Sequence, residues 1–293
     1  MLKNLRVVVL VSPDPSDIYF ANQLMKRVNV VGVFVERQYE HANLTKSVLK
    51  AVRLSLKPWQ FIKRFAESKV VHHFSQKSAD IDIAHFGKEC RKLTHSDSCK
   101  IVYTEGVRQI NSSKYVEQIK CLRPDVIALC GTSIIQDQII TFPPRGVLNL
   151  HGGLPQKYRG VWTTLWAMYN EEPEYIGSTV HFVDTGVDTG NIIYQGRPDI
   201  TADDNPEILY TKVVKLGVEM MIQAIDDIEN DKIESYPQKK LGNLYLEKMV
   251  TPEVLSKAWA NVERGIIREY LKHKVERDRQ VIDLMVGKFH EVS

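Results

Sequence analysis

"LRVVVLVSPDPSDIYFANQLMKRVNVVGVFVER", Leu5 to Arg37, is the stretch that decides the fold class. Its first eight residues form a short apolar run rich in β-branched side chains, which predicts a buried strand. A helical pattern follows from Asp14, with Pro15 early in it, where a missing N–H costs the helix nothing. Asn29 to Arg37 then predicts a second strand, completing a βαβ opening. Further runs of the same kind lie at Pro124–Gly131, Gly146–His151, Ser178–Val183 and Asn191–Ile200. Buried strands alternating with helices predict an α/β fold: a Rossmann-like, mainly parallel twisted sheet with helices on both faces and ligands in the crevice beyond the strands' carboxyl ends.

Composition bounds the function. The chain has 293 residues, 43% of them hydrophobic and 26% charged, with a net charge of +3, a balance too slight to argue for nucleic acid. Its apolar runs fall well short of the roughly 20 residues that span a bilayer. The start of the chain shows no small-residue cleavage site, so no export signal is expected. Cys90, Cys99, Cys121 and Cys130 form no CxxC pair and have no histidine at zinc-ligand spacing. Reduced thiols in a cytoplasmic, metal-free protein are the expectation. The first strand is followed by "SPDPSD", with no G-x-G-x-x-G, and the chain carries neither a Walker phosphate loop nor G-x-S-x-G. Dinucleotide binding, triphosphate binding and serine hydrolysis lose their usual support.

Two local motifs carry chemistry. In "NLHGGLPQKYRG", Asn149 to Gly160, side-chain alternation along the strand puts Val147, Asn149 and His151 on one side and Leu148 and Leu150 on the other. An amide donor and a titratable ring therefore leave the strand end together, where glycines let a ligand approach. Residues that merely cap a turn would look the same locally. In "FVDTGVDTGNII", Phe182 to Ile193, Asp184 and Asp188 each stand two residues before a glycine, a turn signal as well as a possible source of a carboxylate. Acyl transfer to an amine needs an oxyanion donor, a base near neutrality and a carboxylate that orients the base; Asn149, His151 and one of these aspartates supply all three.

With those residues in view, Pro124 to Ile193 resembles the catalytic core of the folate-dependent formyltransferases, whose signature is N-x-H, a turn ending near R-G, and a later aspartate before x-G. The resemblance implies formyl transfer from N10-formyltetrahydrofolate to a primary amine. It implies Asn149 and His151 at the oxyanion and Asp188 orienting His151 and keeping it protonated, with Asp184 the second-choice carboxylate. It also implies the pterin against the backbone of Thr132, Ser133, Ile134, Ile135, Val183 and Asp184. Most relatives have a serine and two leucines before the proline, whereas this chain has Gly153 and an earlier proline, so no serine hydroxyl role carries over.

The remaining chain bears on the acceptor. Residues 1–200 read as the catalytic domain with a basic helical insertion over about 37–100; Arg37 to Phe74 holds eight basic residues against Glu40 and Glu67, and the tandem His72 and His73 read as incidental. Residues 201–293 read as a smaller appendage of helices around a hairpin near Gly242, with helix starts at Asn205–Pro206 and Thr251–Pro252. Methionyl-tRNA formyltransferases continue instead into a basic β-barrel, and "LGNLYLEKMVTPEVLSKAW" is more similar to formyltransferases of surface-polysaccharide sugar biosynthesis, which act on nucleotide-linked amino deoxysugars, often as dimers. A homodimer, a small-molecule amino sugar, no nucleic acid and no membrane span are the partners this implies. Tyr158, Trp162, Trp166 and Tyr169 are candidates for stacking. The alternatives are a hydroxyornithine, methionyl-tRNA or glycinamide ribonucleotide acceptor, hydrolysis of the formyl donor, or binding without turnover.

Overall fold

The computed structural model describes residues 5–37 and 78–289; most of the basic stretch, with His72 and His73, lies outside them. The elements run β1 (Val7–Val11), α1 (Pro15–Arg27), β2 (Val30–Arg37), β3 (Lys100–Val107), α2 (Ser113–Cys121), β4 (Val126–Cys130), α3 (Asp137–Ile140), β5 (Val147–His151), β6 (Tyr158–Gly160), α4 (Thr163–Tyr169), β7 (Ser178–Phe182) and β8 (Ile192–Gly196). After them come α5 (Pro206–Glu229), β9 (Asn243–Tyr245), α6 (Pro252–Glu263), α7 (Ile266–Lys272) and α8 (Lys274–Leu284).

Seven strands form one sheet in the order β3-β2-β1-β4-β5-β7-β8. From β3 to β5 the pairings are parallel, while β7 and β8 run antiparallel. Every residue of β1 and β4 is buried, as expected of central strands covered on both faces. Alternation splits them cleanly. Val7, Val9, Val11, Val126 and Ala128 pack with Phe20 and Leu24 of α1 and Met221 and Ala224 of α5. Val8, Leu10, Ile127 and Leu129 pack with Tyr115 and Ile119 of α2 on the other face. The sheet, with helices on both faces, is the one the βαβ opening predicts. Strand order diverges at β1, whose neighbours β2 and β4 lead in opposite directions, which opens the crevice at the carboxyl ends of β1 and β4.

The C-terminal region departs from expectation. Asn205 caps α5 by accepting from the amides of Glu207 and Ile208, as read from the sequence, but α5 lies on the sheet beside α1, where Arg27 forms a two-point pair with Glu219. No hairpin forms around Gly242: β9 instead pairs in parallel with β6. The partner strand comes from far away in sequence, which a local hairpin signal cannot reveal, and Gly242 packs so tightly on the backbone of Lys157 that a Cβ there would stand 2.2 Å from it. The single helix expected from Thr251 breaks at Gly265, whose φ of 97° is left-handed. β3 also escaped the sequence reading; it is an edge strand whose apolar run, Ile101 to Tyr103, is only three residues long, half-exposed and flanked by polar residues. Among the described residues, no helix is long and apolar enough to cross a membrane.

One buried group at the crevice was not foreseen. Asp17, in the first turn of α1, is 4% exposed and accepts hydrogen bonds from Ser12 Oγ at 2.7 Å and Cys130 Sγ at 3.3 Å. Burial above all, with the nearby charge of Asp14, pushes its carboxyl up to about 7, against the hydrogen bonds from Ser12 and Cys130. The folded state therefore holds this proton after the unfolded chain has released it, and the stability it confers falls as pH rises from about 4 through 7. Asp17→Asn is expected to flatten that loss: between pH 5 and 8 the wild-type unfolding free energy should decline by up to a few kcal/mol more than the variant's, measured by urea denaturation across pH.

Candidate active site

β5 ends in the crevice with Asn149 and His151 on the same face, as alternation requires. The antiparallel neighbour β7 sets His181 directly across from Asn149 and Thr179 across from His151. Between them stands Asp188, on the turn after β7. The structure thus brings together all three residues named from the sequence and adds His181. Its signal was a titratable residue in a short buried strand, "STVHFV", on the same strand face as Thr179.

Hydrogen bonds assign the protons. His151 Nε2 lies 2.9 Å from the carbonyl of Tyr158 and must donate to it, while Nδ1 faces Asp188 Oδ2 at 3.5 Å. Both ring nitrogens face oxygen acceptors, so a proton on each satisfies the site best. His181 Nδ1 donates to the carbonyl of Phe182 at 2.7 Å, leaving Nε2 to accept from Asn149 Nδ2 at 3.0 Å. The second amide hydrogen of Asn149 points loosely to Asp188 Oδ1, 3.4 Å away, and is available to a better acceptor.

Asp188 is 8% exposed and has a left-handed φ of 52°, a conformation non-glycine residues adopt at a cost and keep where surrounding structure enforces it. Its Oδ2 accepts from the amide of Gly160 at 2.7 Å, and its carbonyl accepts from Gln238 at 2.9 Å. Burial alone would raise its pKa; the facing charge of His151, the contacts with His181 and the Gly160 amide outweigh it and hold the carboxyl far below the ordinary carboxylate range. Asp184, by contrast, is exposed and closes its own turn, accepting from Gly186 at 3.0 Å and Thr189 at 2.6 Å. The histidines face Asp188 alone of the two.

The glycines now have separate explanations. At Gly153 a Cβ would stand 2.8 Å from His151 Nε2 and 2.9 Å from Thr163, so any side chain would displace the ring. At Gly160, φ is 87° and a Cβ would meet the carbonyl of Tyr245 on β9 at 2.1 Å. Arg159 reinforces that junction, donating to the carbonyls of Gly242 and Val187.

The other expected positions divide by exposure. Thr132, Ser133, Ile134 and Ile135 form the link from β4 to α3 at the crevice; Ile134 is 71% exposed and Ile135 buried. Thr132 Oγ1 is buried without a hydrogen-bond partner among the described residues, and a polar ligand would satisfy it. Val183 donates from its amide to Val147, its side chain half-buried. Of the aromatic candidates, Tyr158 and Trp166 are core residues, and Tyr169 is covered by Lys257. Trp162 is 46% exposed beside Gly160, with its indole N–H held by Glu247 at 2.9 Å. Among the described residues, no group of three or more His, Cys, Asp or Glu side chains is placed to hold a metal ion.

Residues 62–225 match the family model described as formyl transferase, more than half of the sequence, and the chain belongs to the formyl transferase family. It is 32% identical over 147 residues to the methionyl-tRNA formyltransferase of Methylacidiphilum infernorum (isolate V4), a match over 50% of this chain and 46% of that protein. The chain thus spans about half the length of the curated relatives it matches. Among solved structures, a 4-N formyltransferase from Francisella tularensis shares the fold at 17% identity and a TM-score of 0.51, covering 87% of each chain. A sugar N-formyltransferase from Shewanella sp. FDAARGOS_354 does so at 13% identity and a TM-score of 0.52, covering 88% of this chain and 87% of that one.

The junction that holds Asp188 yields a test. Gly160→Ala adds left-handed strain, about 1–2 kcal/mol, to a clash with backbone that cannot swing aside, whereas Gly265→Ala meets the same strain in open space. Thermal unfolding should show the first costing clearly more than the second; equal losses would mean that β6 and β9 separate easily.

Proposed function

We propose that this chain transfers a formyl group from N10-formyltetrahydrofolate to a primary amine on a nucleotide-linked amino deoxysugar, as a cytoplasmic homodimer. The observation that carries the reaction type is the Asn149–His151–Asp188 cluster, in which a buried, strongly acidic carboxylate faces a buried histidine whose two nitrogens both point at oxygens. The donor supplies a carbonyl carbon on a nitrogen able to leave. Asn149 offers its free amide hydrogen to the oxygen that becomes anionic as the amine attacks. His151, positively charged against Asp188, stabilises the same oxygen and relays the proton, giving one to N10 and regaining the one the amine loses. Asp188 fixes the ring through the Gly160 amide and compensates its charge. The C–N bond to the acceptor forms, the bond from the formyl carbon to N10 breaks, and the amine's proton ends on N10. The orphaned hydroxyl of Thr132 and the exposed link at Ile134 support the pterin reading of residues 132–135, with Val183 and Asp184 at its edge.

For the acceptor, support comes from the tail, whose described residues after α5 form three helices and one short strand rather than a barrel, and from Trp162, an exposed ring beside the cluster suited to stacking on a base or sugar. The second reading, an aminoacyl-tRNA acceptor, is favoured by the curated relatives, methionyl-tRNA formyltransferases at about a third identity.

The deciding assay follows tetrahydrofolate release with nucleotide-linked 3-amino and 4-amino deoxysugars, with methionyl-tRNA, and with no amine. Turnover that depends on one sugar is expected; dependence on tRNA would replace the acceptor, and equal turnover without amine would make the chain a hydrolase. Loss of one oxyanion-stabilising group costs about 10²- to 10³-fold in kcat, so His151→Ala and Asp188→Ala should each fall at least that far, and near-wild-type rates would overturn the mechanism. Trp162→Ala should raise the acceptor's KM with little change in kcat.

A further inference from the structure

Glu36 closes β2 at the crevice and is wholly buried, yet it belongs to neither the Asp188 cluster nor the Asp17 cluster. All of its described hydrogen bonds come from donors on two other segments. Its Oε1 accepts from the amide of Ile110 at 2.8 Å and from Ser133 Oγ at 3.0 Å. Its Oε2 accepts from the amide of Ser133 at 2.8 Å. One residue beyond Ile110, Asn111 grips the same link from outside. Its amide donates to the carbonyl of Ile134 at 2.9 Å and its Oδ1 accepts from the amide of Gln136 at 2.8 Å, while its own carbonyl accepts from Gln138 at 2.7 Å.

A link of irregular backbone would ordinarily be mobile. Here a carboxylate and a carboxamide determine its shape, and they do so selectively. They occupy the amides of Ser133 and Gln136 and the carbonyl of Ile134. Among the described residues, the amides of Thr132, Ile134 and Ile135 and the carbonyls of Thr132 and Ser133 take no partner, and Thr132 Oγ1 is buried without one. A fixed backbone with alternating free donors and acceptors suits a flat heterocycle that carries both along one edge, and a fixed receptor avoids the entropy of ordering a loop on binding.

We propose that Glu36 and Asn111 are positioning residues that set the affinity for the formyl donor: they touch no substrate and hold residues 132–136 in the shape that receives the pterin. This rests on the reading of that link as the pterin site. A carboxylate is required at residue 36 because each of its three described partners is a donor; an amide there would turn an N–H against one of them.

The test compares wild type with Asn111→Ala, which alters a half-exposed position and should fold, and with Glu36→Gln. The probe is 5-formyltetrahydrofolate, with binding by calorimetry and hydrogen–deuterium exchange over residues 131–136. Loss of two ordering hydrogen bonds should raise Kd about tenfold in Asn111→Ala, with faster exchange in the link, an unchanged Tm and, in turnover, a raised donor KM at a kcat within about twofold of wild type. Unchanged exchange would show that Asn111 does not hold the link. Faster exchange with unchanged Kd would show that the link's order does not set affinity. Either overturns the proposal while wild-type binding stands; absence of binding by the wild type overturns the pterin reading itself, and this inference with it.

Discussion

Asp188 is a charged group in a nearly dry place, and much of the surrounding architecture answers that fact. A buried carboxylate is tolerated only when opposite charge and hydrogen-bond donors replace water. His151 provides the first, and the amide of Gly160 the firmest of the second. That amide is aimed by the pairing of β6 with β9, so a strand from the tail maintains a carboxylate at the edge of the main sheet. Gln238 ties the Asp188 turn to the tail a second time. The left-handed backbone of Asp188 is then the local cost of pointing the side chain inward against two histidines.

The antiparallel pair at the sheet's edge is what makes the cluster compact. A parallel neighbour after β5 would have required a long crossover and offset the facing residues. Reversing β7 places His181 opposite Asn149, where cross-strand side chains come close enough to bond, and the turn after β7 delivers Asp188. Asn149 is consequently held at one amide hydrogen by His181 and only loosely, by Asp188, at the other.

Legibility in the sequence followed range. Central strands covered on both faces advertise themselves as apolar runs, and period-two alternation was enough to put Asn149 and His151 on one face. The choice of Asp188 over Asp184 came from the likeness to known enzymes; two D-T-G turns are locally the same, and only the pairing of β6 with β9, invisible to local pattern, makes one of them buried. For the same reason the hairpin expected at Gly242 was wrong: its apolar residues do belong to a strand, but the partner lies some eighty residues earlier in the chain. Glu36 looked like the polar end of a strand, and its role depends on where Ile110 and Ser133 arrive. Asp17 looked like an ordinary first-turn acid, and only the approach of Cys130 and α5 removes it from water.

This layout also divides the Asp188 cluster from the walls around it. The Asp188 cluster is built from β5, β7 and the two turns beside them, all within the span that matches the formyl transferase family. The outer wall is not: Glu247, which holds the exposed ring of Trp162, follows β9 in the tail beyond that span. The opposite wall, at the start of α1, is acidic where such helix starts usually attract anions, because Asp14 and Asp17 fill it and Glu247 adds its charge to Asp14. The family match therefore covers the Asp188 cluster but neither Asp14 and Asp17 nor Glu247; the two walls, one in the first turn after β1 and the other in the last quarter of the sequence, meet only in the folded protein.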